Sequence, residues 1–328
     1  MHMKKKVIVY DRIEEPVLSA LQEEFDVRIF KERDAHDNPE FLSFLQETEG
    51  VIGLGFPGQS DILDKAPNLK IISNVSVGYN NLDTEELTKR NIMGTNTPDV
   101  LTDTVADMAM GLMLSTARRM PELDQYVKQG KWKEAVTTEL FGVDVHHKKL
   151  GIIGMGRIGK AIAQRAHLGF NMDILYHSRT PKPDAEERFN ATYMNLESLL
   201  RNSDYICLIT PLTDETRGMI GKKEFQLMKR SAIFINVSRG STVVEADLIE
   251  ALKNKEIAAA GLDVYVQEPV NPDNELLKMK NVVTLPHIGS ATAETEHKMA
   301  ALAAENLRAG LNGEKPGNLV NPEVWKKE

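Results

Sequence analysis

The chain has one cysteine, Cys207, in 328 residues. That excludes a disulfide framework, and the apolar neighbours Ile206 and Leu208 mark a buried core thiol. No apolar run approaches the roughly 18 residues of a membrane span. The N-terminal stretch has no apolar segment of the signal type, so a cytoplasmic protein without membrane partners is expected. Positive charge is not in excess: the formal net charge is −8, and Lys4-Lys5-Lys6 is only a short, solvated run. This argues against nucleic acid as a partner. Solenoid repeats and low-complexity tracts are missing as well. His146 and His147 are adjacent and do not form metal-ligand spacing, so no metal is expected. What is present is ordinary hydrophobic content in a chain long enough for two cores.

Short apolar runs alternate with segments of helical spacing from the start. Lys6–Tyr10, Val27–Phe30, Val51–Gly55 and Leu69–Ser73 read as strands. Glu15–Phe25, Pro39–Glu47, Ile62–Lys65 and Thr84–Arg90 read as helices. This order predicts a small parallel α/β layer domain. Thr97-Pro98 breaks the pattern and marks a crossing into a second domain. Val105–Arg119 is apolar on nearly every face, so it is either deeply buried or packed against another chain. A long amphipathic helix, Ala293–Leu311, offers the return crossing. The expected division is 1–100 with 290–328, and 101–289.

The most informative stretch is Leu150–Arg179. A β-branched run enters Gly154-Met155-Gly156-Arg157-Ile158-Gly159, a helix-spaced segment follows, and Met172–Tyr176 forms a second strand. In such a βαβ unit the first glycine permits the tight turn, the second lets the backbone approach a pyrophosphate, and the third lets helix and strand pack closely. The helix start supplies N–H groups and a positive dipole end to the phosphate. This is a Rossmann dinucleotide signature. NAD enzymes place an acidic residue about 20 residues beyond the glycines, on the ribose 2′-hydroxyl. Here Tyr176-His177 hold that place, followed by Ser178, Arg179, Thr180 and, close by, Lys182. Arg179 suits a 2′-phosphate through paired N–H bonds, and Ser178 adds a hydroxyl. NADP(H) is therefore expected in preference to NAD(H).

Three ionisable residues follow predicted strands farther on: Arg239 after Ile233–Asn236, Glu268 after Gly261–Val264, and His287 after Val282–Leu285. Strand ends of an open α/β sheet face the ligand crevice. A guanidinium clamps a carboxylate and fixes its neighbouring carbonyl. An imidazolium donates a proton near neutral pH, and a carboxylate bonded to it supports its charge and orientation. Together they form the simplest complete set for reducing a 2-keto acid.

SVGYNNLD, VLTDTVADMAMGLMLSTARR, FGVDVHHKKLGIIGMGRIG, LTDET, INVSRG, AAGLDVYVQEP and LPHIGSAT occur in this order along nearly the whole chain. In this the chain closely resembles the D-isomer-specific 2-hydroxyacid dehydrogenases, especially the bacterial glyoxylate/hydroxypyruvate reductase B and 2-ketogluconate reductase branch. The resemblance implies two Rossmann-like domains, a flavodoxin-like substrate domain and a doubly wound parallel-sheet dinucleotide-binding domain. It implies that Arg239 binds the substrate carboxylate, that Glu268 tunes the histidine and that His287 donates the proton. Val77 and Gly78 match a loop whose N–H groups also hold the carboxylate, flanked by Ser76 and Tyr79, and Ser290 belongs to the same substrate set. Met155 to Ile158 are implied to cradle the pyrophosphate, with Thr216 nearby. Val237 and Asp263 are implied to hold the nicotinamide carboxamide, with Thr104 near the ring. Thr210, Pro211 and Gly289 complete the cofactor set. A homodimer formed by the nucleotide domains is also implied.

Related reductases often carry a Trp shortly before the glycine that Gly142 matches, whereas this chain has Glu139-Leu140-Phe141. The smaller Leu140 points to room for a longer sugar acid such as 2-ketogluconate, although Phe141 is placed to fill the space. A nucleotide-sensing, corepressor-like interaction protein on the same fold is the alternative, but such a module has no need of Arg239, Glu268 and His287 together. Phosphoglycerate oxidation is disfavoured by His177 where an acidic residue usually stands, and formate oxidation by Glu268 where a Gln is used.

Overall fold

A computed structural model describes residues 3–11, 13–31 and 38–325. The chain divides into two compact units, Met1–Leu101 with Ala291–Glu328, and Thr102–Ser290.

The first unit begins with β1 (Lys6–Tyr10), α1 (Glu15–Glu24), β2 (Asp26–Phe30), α2 (Pro39–Leu45) and β3 (Gly50–Gly53). It continues through α3 (Ser60–Leu63), β4 (Ile71–Asn74), α4 (Thr84–Lys89) and β5 (Met93–Thr95). The strands form one parallel sheet in the order β2-β1-β3-β4-β5, the flavodoxin-like order. Val7, Ile8 and Val9 of the interior strand β1 are completely buried, as expected where both faces of a parallel sheet are covered. Tyr10, Phe30, Phe41, Phe44 and Phe56 pack into one core cluster. β5 is the element that sequence pattern does not reveal. Its three residues, Met-Gly-Thr, are too few for a period, and pairing with β4 creates the strand.

The second unit opens with α5 (Thr102–Ala117) and α6 (Met120–Lys128), then β6 (Lys149–Ile153), α7 (Arg157–Phe170) and β7 (Asp173–His177). There follow α8 (Pro183–Phe189), β8 (Thr192–Tyr193), α9 (Leu196–Asn202), β9 (Tyr205–Leu208) and α10 (Lys222–Leu227). β10 (Ile233–Asn236), α11 (Glu245–Lys253), β11 (Ala259–Leu262) and β12 (Val282–Thr284) complete it. The chain then re-enters the first unit as α12 (Ala293–Leu311), which packs on β3 and β4. The second sheet is also parallel, ordered β12-β11-β10-β9-β6-β7-β8, a doubly wound sheet whose direction of growth reverses between β6 and β9.

Most of the apolar α5 is buried within its own unit, where Ala106, Ala109, Leu112 and Met113 join the core cluster shared with β10 and α7. Its acidic edge is pinned by Arg165 of α7, which binds Asp107 at 2.5 Å and Asp103 at 3.1 Å. Cys207 lies wholly buried in β9, and burial pushes its thiol up to about 12. No helix among the described residues is long and apolar enough to cross a membrane.

Candidate active site

The turn after β6 is shaped by its glycines. Gly154 has φ +109°, a conformation that side chains disfavour, and a Cβ there would lie 2.5 Å from the Ile209 carbonyl oxygen. The turn from β6 is thus packed against the end of β9, at the point where the sheet order reverses. Gly156 precedes the first turn of α7, and a Cβ on it meets nothing within 4 Å. Packing among the described residues does not require Gly156, and the space beside this helix start is open. Met155 is buried beneath the turn, while Arg157 and Ile158 open the helix, where N–H groups lack intrahelical acceptors.

At the end of β7, the His177 Nδ1 lies 3.0 Å from the Met194 carbonyl oxygen, and its ring stacks on Tyr193. The Ser178 hydroxyl donates to the Thr180 carbonyl at 2.7 Å, and the Lys182 ammonium to the Thr180 hydroxyl at 3.0 Å. The Arg179 guanidinium is exposed and has no hydrogen bond or ion pair among the described residues. Among the described residues no carboxylate is bound to Ser178, Arg179 or Thr180. Tyr193 was invisible to pattern because β8 has only two residues.

Thr210 and Pro211 follow β9, where the Thr216 hydroxyl donates to the Pro211 carbonyl at 2.6 Å and closes the loop. Val237 follows β10. Its N–H donates to the Leu208 carbonyl at 3.2 Å, and its own carbonyl has no partner among the described residues. Thr104 lies in the first turn of α5.

His287 and Glu268 meet directly. The His287 Nδ1 lies 2.6 Å from Glu268 Oε2, and the other carboxylate oxygen accepts the Tyr265 N–H at 2.9 Å. Burial pushes the Glu268 carboxyl up, but the His287 bond, the Tyr265 N–H and the charges of His287 and Arg239 outweigh it and hold the group below its ordinary range. Arg239 lies on the short turn after β10, its guanidinium donating to the Ser238 carbonyl at 2.7 Å. Burial lowers its pKa and the nearby Glu268 charge opposes that shift. The next residue, Gly240, abuts Tyr265 so closely that a Cβ would lie 1.9 Å from the Tyr265 carbonyl carbon. That approach brings the Arg239 turn against the turn carrying Glu268. His287 has φ +53°, and the two residues after it are gripped by Asp263, whose oxygens accept the Ile288 and Gly289 N–H groups at 2.8 and 2.9 Å. Asp263 is 2% exposed; burial raises its pKa against those hydrogen bonds. Spacing along the chain carries no sign of this grip or of the Tyr265 N–H. Ser290 follows, half-buried.

Val77 and Gly78 lie in the first unit, in the loop after β4. Among the described residues no acceptor meets their N–H groups, while the Val77 carbonyl accepts from Asn96 Nδ2 at 2.8 Å.

The sequence model of the D-isomer specific 2-hydroxyacid dehydrogenase NAD binding domain matches residues 110–289. The chain belongs to that family. It is 51% identical to the glyoxylate/hydroxypyruvate reductase B of Enterobacter sp. (strain 638), across 98% of this chain and 99% of that protein. The reductase B of Escherichia coli O6:H1 is 50% identical with the same coverage. Among solved structures, the NADPH-dependent glyoxylate/hydroxypyruvate reductase of Sinorhizobium meliloti, in complex with NADP and malonate, superposes with TM-score 0.88 at 34% identity, covering 99% of each chain. Membership makes the second unit the NAD-binding domain and the chain an oxidoreductase of hydroxy acids.

Proposed function

We propose that the protein reduces 2-keto acids, namely glyoxylate, hydroxypyruvate and 2-ketogluconate, to D-2-hydroxy acids with NADPH. The observation that carries this is the 2.6 Å contact between His287 Nδ1 and Glu268 Oε2, within reach of the Arg239 charge. The nicotinamide, when bound, supplies the hydride. Glu268 occupies Nδ1 of His287, which leaves Nε2 to deliver a proton to the keto oxygen. The Glu268 carboxylate offsets the imidazolium charge and fixes the ring, a pairing that the corepressor-like alternative does not need. Arg239 binds the substrate carboxylate, and the Val77 and Gly78 N–H groups serve the same class of anion.

The residues fit the cofactor. The Gly156 approach suits a pyrophosphate, the Val237 carbonyl and Asp263 suit a carboxamide, and Arg179 with Ser178 suits a 2′-phosphate. The choice of NADP(H) rests on Arg179, an exposed cation with no ion pair to a carboxylate among the described residues. NAD(H) then binds more weakly.

A homodimer through the nucleotide domains is part of the proposal. Residues 129–139 run without a single buried side chain and expose Trp132 (60%) and Val136 (50%), with Phe141 (59%) beyond them. Such apolar exposure in one continuous segment marks an interaction surface. Leu140, only half-buried here, is proposed to widen the pocket for longer sugar acids. A cytoplasmic setting accords with a lone, buried cysteine.

The test is NADPH consumption with the three keto acids and with each cofactor. Wild-type protein oxidises NADPH on addition of at least one of them. The His287→Ala protein binds NADPH but loses about 10²- to 10⁴-fold in turnover. Turnover within about tenfold of wild type in that variant refutes the role of His287, and inactivity of wild type toward every keto acid refutes the reductase reading.

A further inference from the structure

We infer that Asn96 is a positioning residue for the substrate carboxylate, because its side chain fixes the peptide plane that carries the Gly78 N–H. The inference rests on the reading of Val77 and Gly78 as the carboxylate loop.

Each carbonyl of the Ser76–Gly78 loop is held by a donor of the first unit. The Thr97 N–H donates to the Ser76 carbonyl at 2.9 Å, Asn96 Nδ2 to the Val77 carbonyl at 2.8 Å, and the Ser76 hydroxyl to the Gly78 carbonyl at 2.5 Å. The N–H groups of Val77 and Gly78 have no acceptor among the described residues. In a planar trans peptide the C=O of one residue and the N–H of the next point in opposite directions. A donor that holds the Val77 oxygen on one side therefore aims the Gly78 N–H toward the other. Thr97 does the same for the Val77 N–H, but through its main chain, which side-chain substitution leaves in place. Asn96 is the side chain that sets the Gly78 plane.

Asn96 is itself held at both ends of its backbone. Its N–H donates to the Asn318 carbonyl at 3.2 Å, and its carbonyl accepts from Asn306 Nδ2 of α12 at 3.4 Å. The same Asn306 amide group donates to Asn318 Oδ1 at 3.2 Å, and Asn306 is 3% exposed. A partly buried amide network, anchored on the buried Asn306, thus fixes the residue that fixes the loop. An aligned N–H donor toward a carboxylate is of the charge-assisted kind, which is stronger than a neutral bond.

The experiment compares a keto acid with its neutral methyl ester at saturating NADPH, in wild type, Asn96→Ala and Asn96→Leu. Both substitutions are neutral, so neither adds charge near the loop. Thermal midpoints and NADPH affinity are measured alongside. In wild type the acid is the better substrate. In the variants kcat/KM for the acid falls about tenfold or more through KM, while that for the ester changes by no more than about twofold. Loss of acid preference with NADPH affinity kept supports the inference. Variants that keep the wild-type acid preference overturn it, as does an equal loss with acid and ester, which marks a purely structural role. A wild type indifferent to acid or ester instead overturns the carboxylate-loop reading beneath it. Asn96→Leu, closer in volume, carries the comparison if Asn96→Ala does not fold.

Discussion

A Cβ placed on Gly159 lies 2.2 Å from the Gly154 carbonyl oxygen, so the first turn of α7 rests directly on the turn that leaves β6. The same operation on Gly156 meets nothing within 4 Å. Two glycines of one motif are therefore required for different reasons. Gly159→Ala forces backbone apart and costs about 1–3 kcal/mol or more, as overpacking does, read as a lowered thermal midpoint without cofactor. Gly156→Ala leaves that midpoint near wild type and weakens NADPH binding in a fluorescence titration. Unchanged NADPH affinity in Gly156→Ala would remove the pyrophosphate from this turn.

Arg179 supplies the second prediction. A bond from an unpaired guanidinium to a phosphate is charge-assisted, in the range of roughly 1.5–3 kcal/mol. Arg179→Ala is expected to weaken NADPH about 10- to 100-fold, with NADH affinity nearly unchanged. Equal losses for both cofactors would mean that Arg179 does not read the 2′-phosphate.

These predictions draw on features that differ in how far sequence reveals them. The strand-turn-helix around Gly154–Gly159 is legible because each glycine serves a local constraint within a few residues. Arg239, Glu268 and His287 are legible as strand-end residues, and their rank in the chain places them near one another once the sheet is known. β5, α8 and β8 were not legible: β5 and β8 have too few residues to show a period, and α8 is a short polar turn begun by Pro183. Asp263 falls inside the strand read as Gly261–Val264 and is named only through the family resemblance. Its grip on the Ile288 and Gly289 N–H groups was not legible, because a bond between side chain and main chain across 25 residues leaves no pattern. Asn96 escaped for the same reason, its target being a carbonyl oxygen that every residue possesses.

The His287–Glu268 pair predicts a pH dependence of stability. The Glu268 carboxyl is held below its ordinary value of 4.5 in the folded protein. A carboxyl with a depressed folded pKa binds more protons when unfolded. Its contribution is therefore complete above about 4.5 and is lost as pH falls through the lower folded value. Urea midpoints of wild type and Glu268→Gln should differ at pH 7 and converge in acid. A gap that stays constant down to strongly acidic pH would show that Glu268 is not held by ionic partners. In activity, His287→Ala loses about 10²- to 10⁴-fold in turnover, the usual worth of a general acid, with NADPH affinity retained.

Thr97 gives the last prediction. It is completely buried, its N–H is bonded to the Ser76 carbonyl, and its Oγ1 alone among the buried side-chain polar atoms of the described residues has no hydrogen-bond partner. A buried hydroxyl without a partner costs about 1–3 kcal/mol of desolvation. Valine has nearly the same shape, keeps the β-branch suited to the extended chain after β5, and leaves the backbone N–H in place. Thr97→Val is expected to raise stability by about 1 kcal/mol, measured as a higher urea midpoint with an unchanged denaturant slope. A lower midpoint would show that the hydroxyl is satisfied in solution and that its partner stabilises the segment leading out of the first unit.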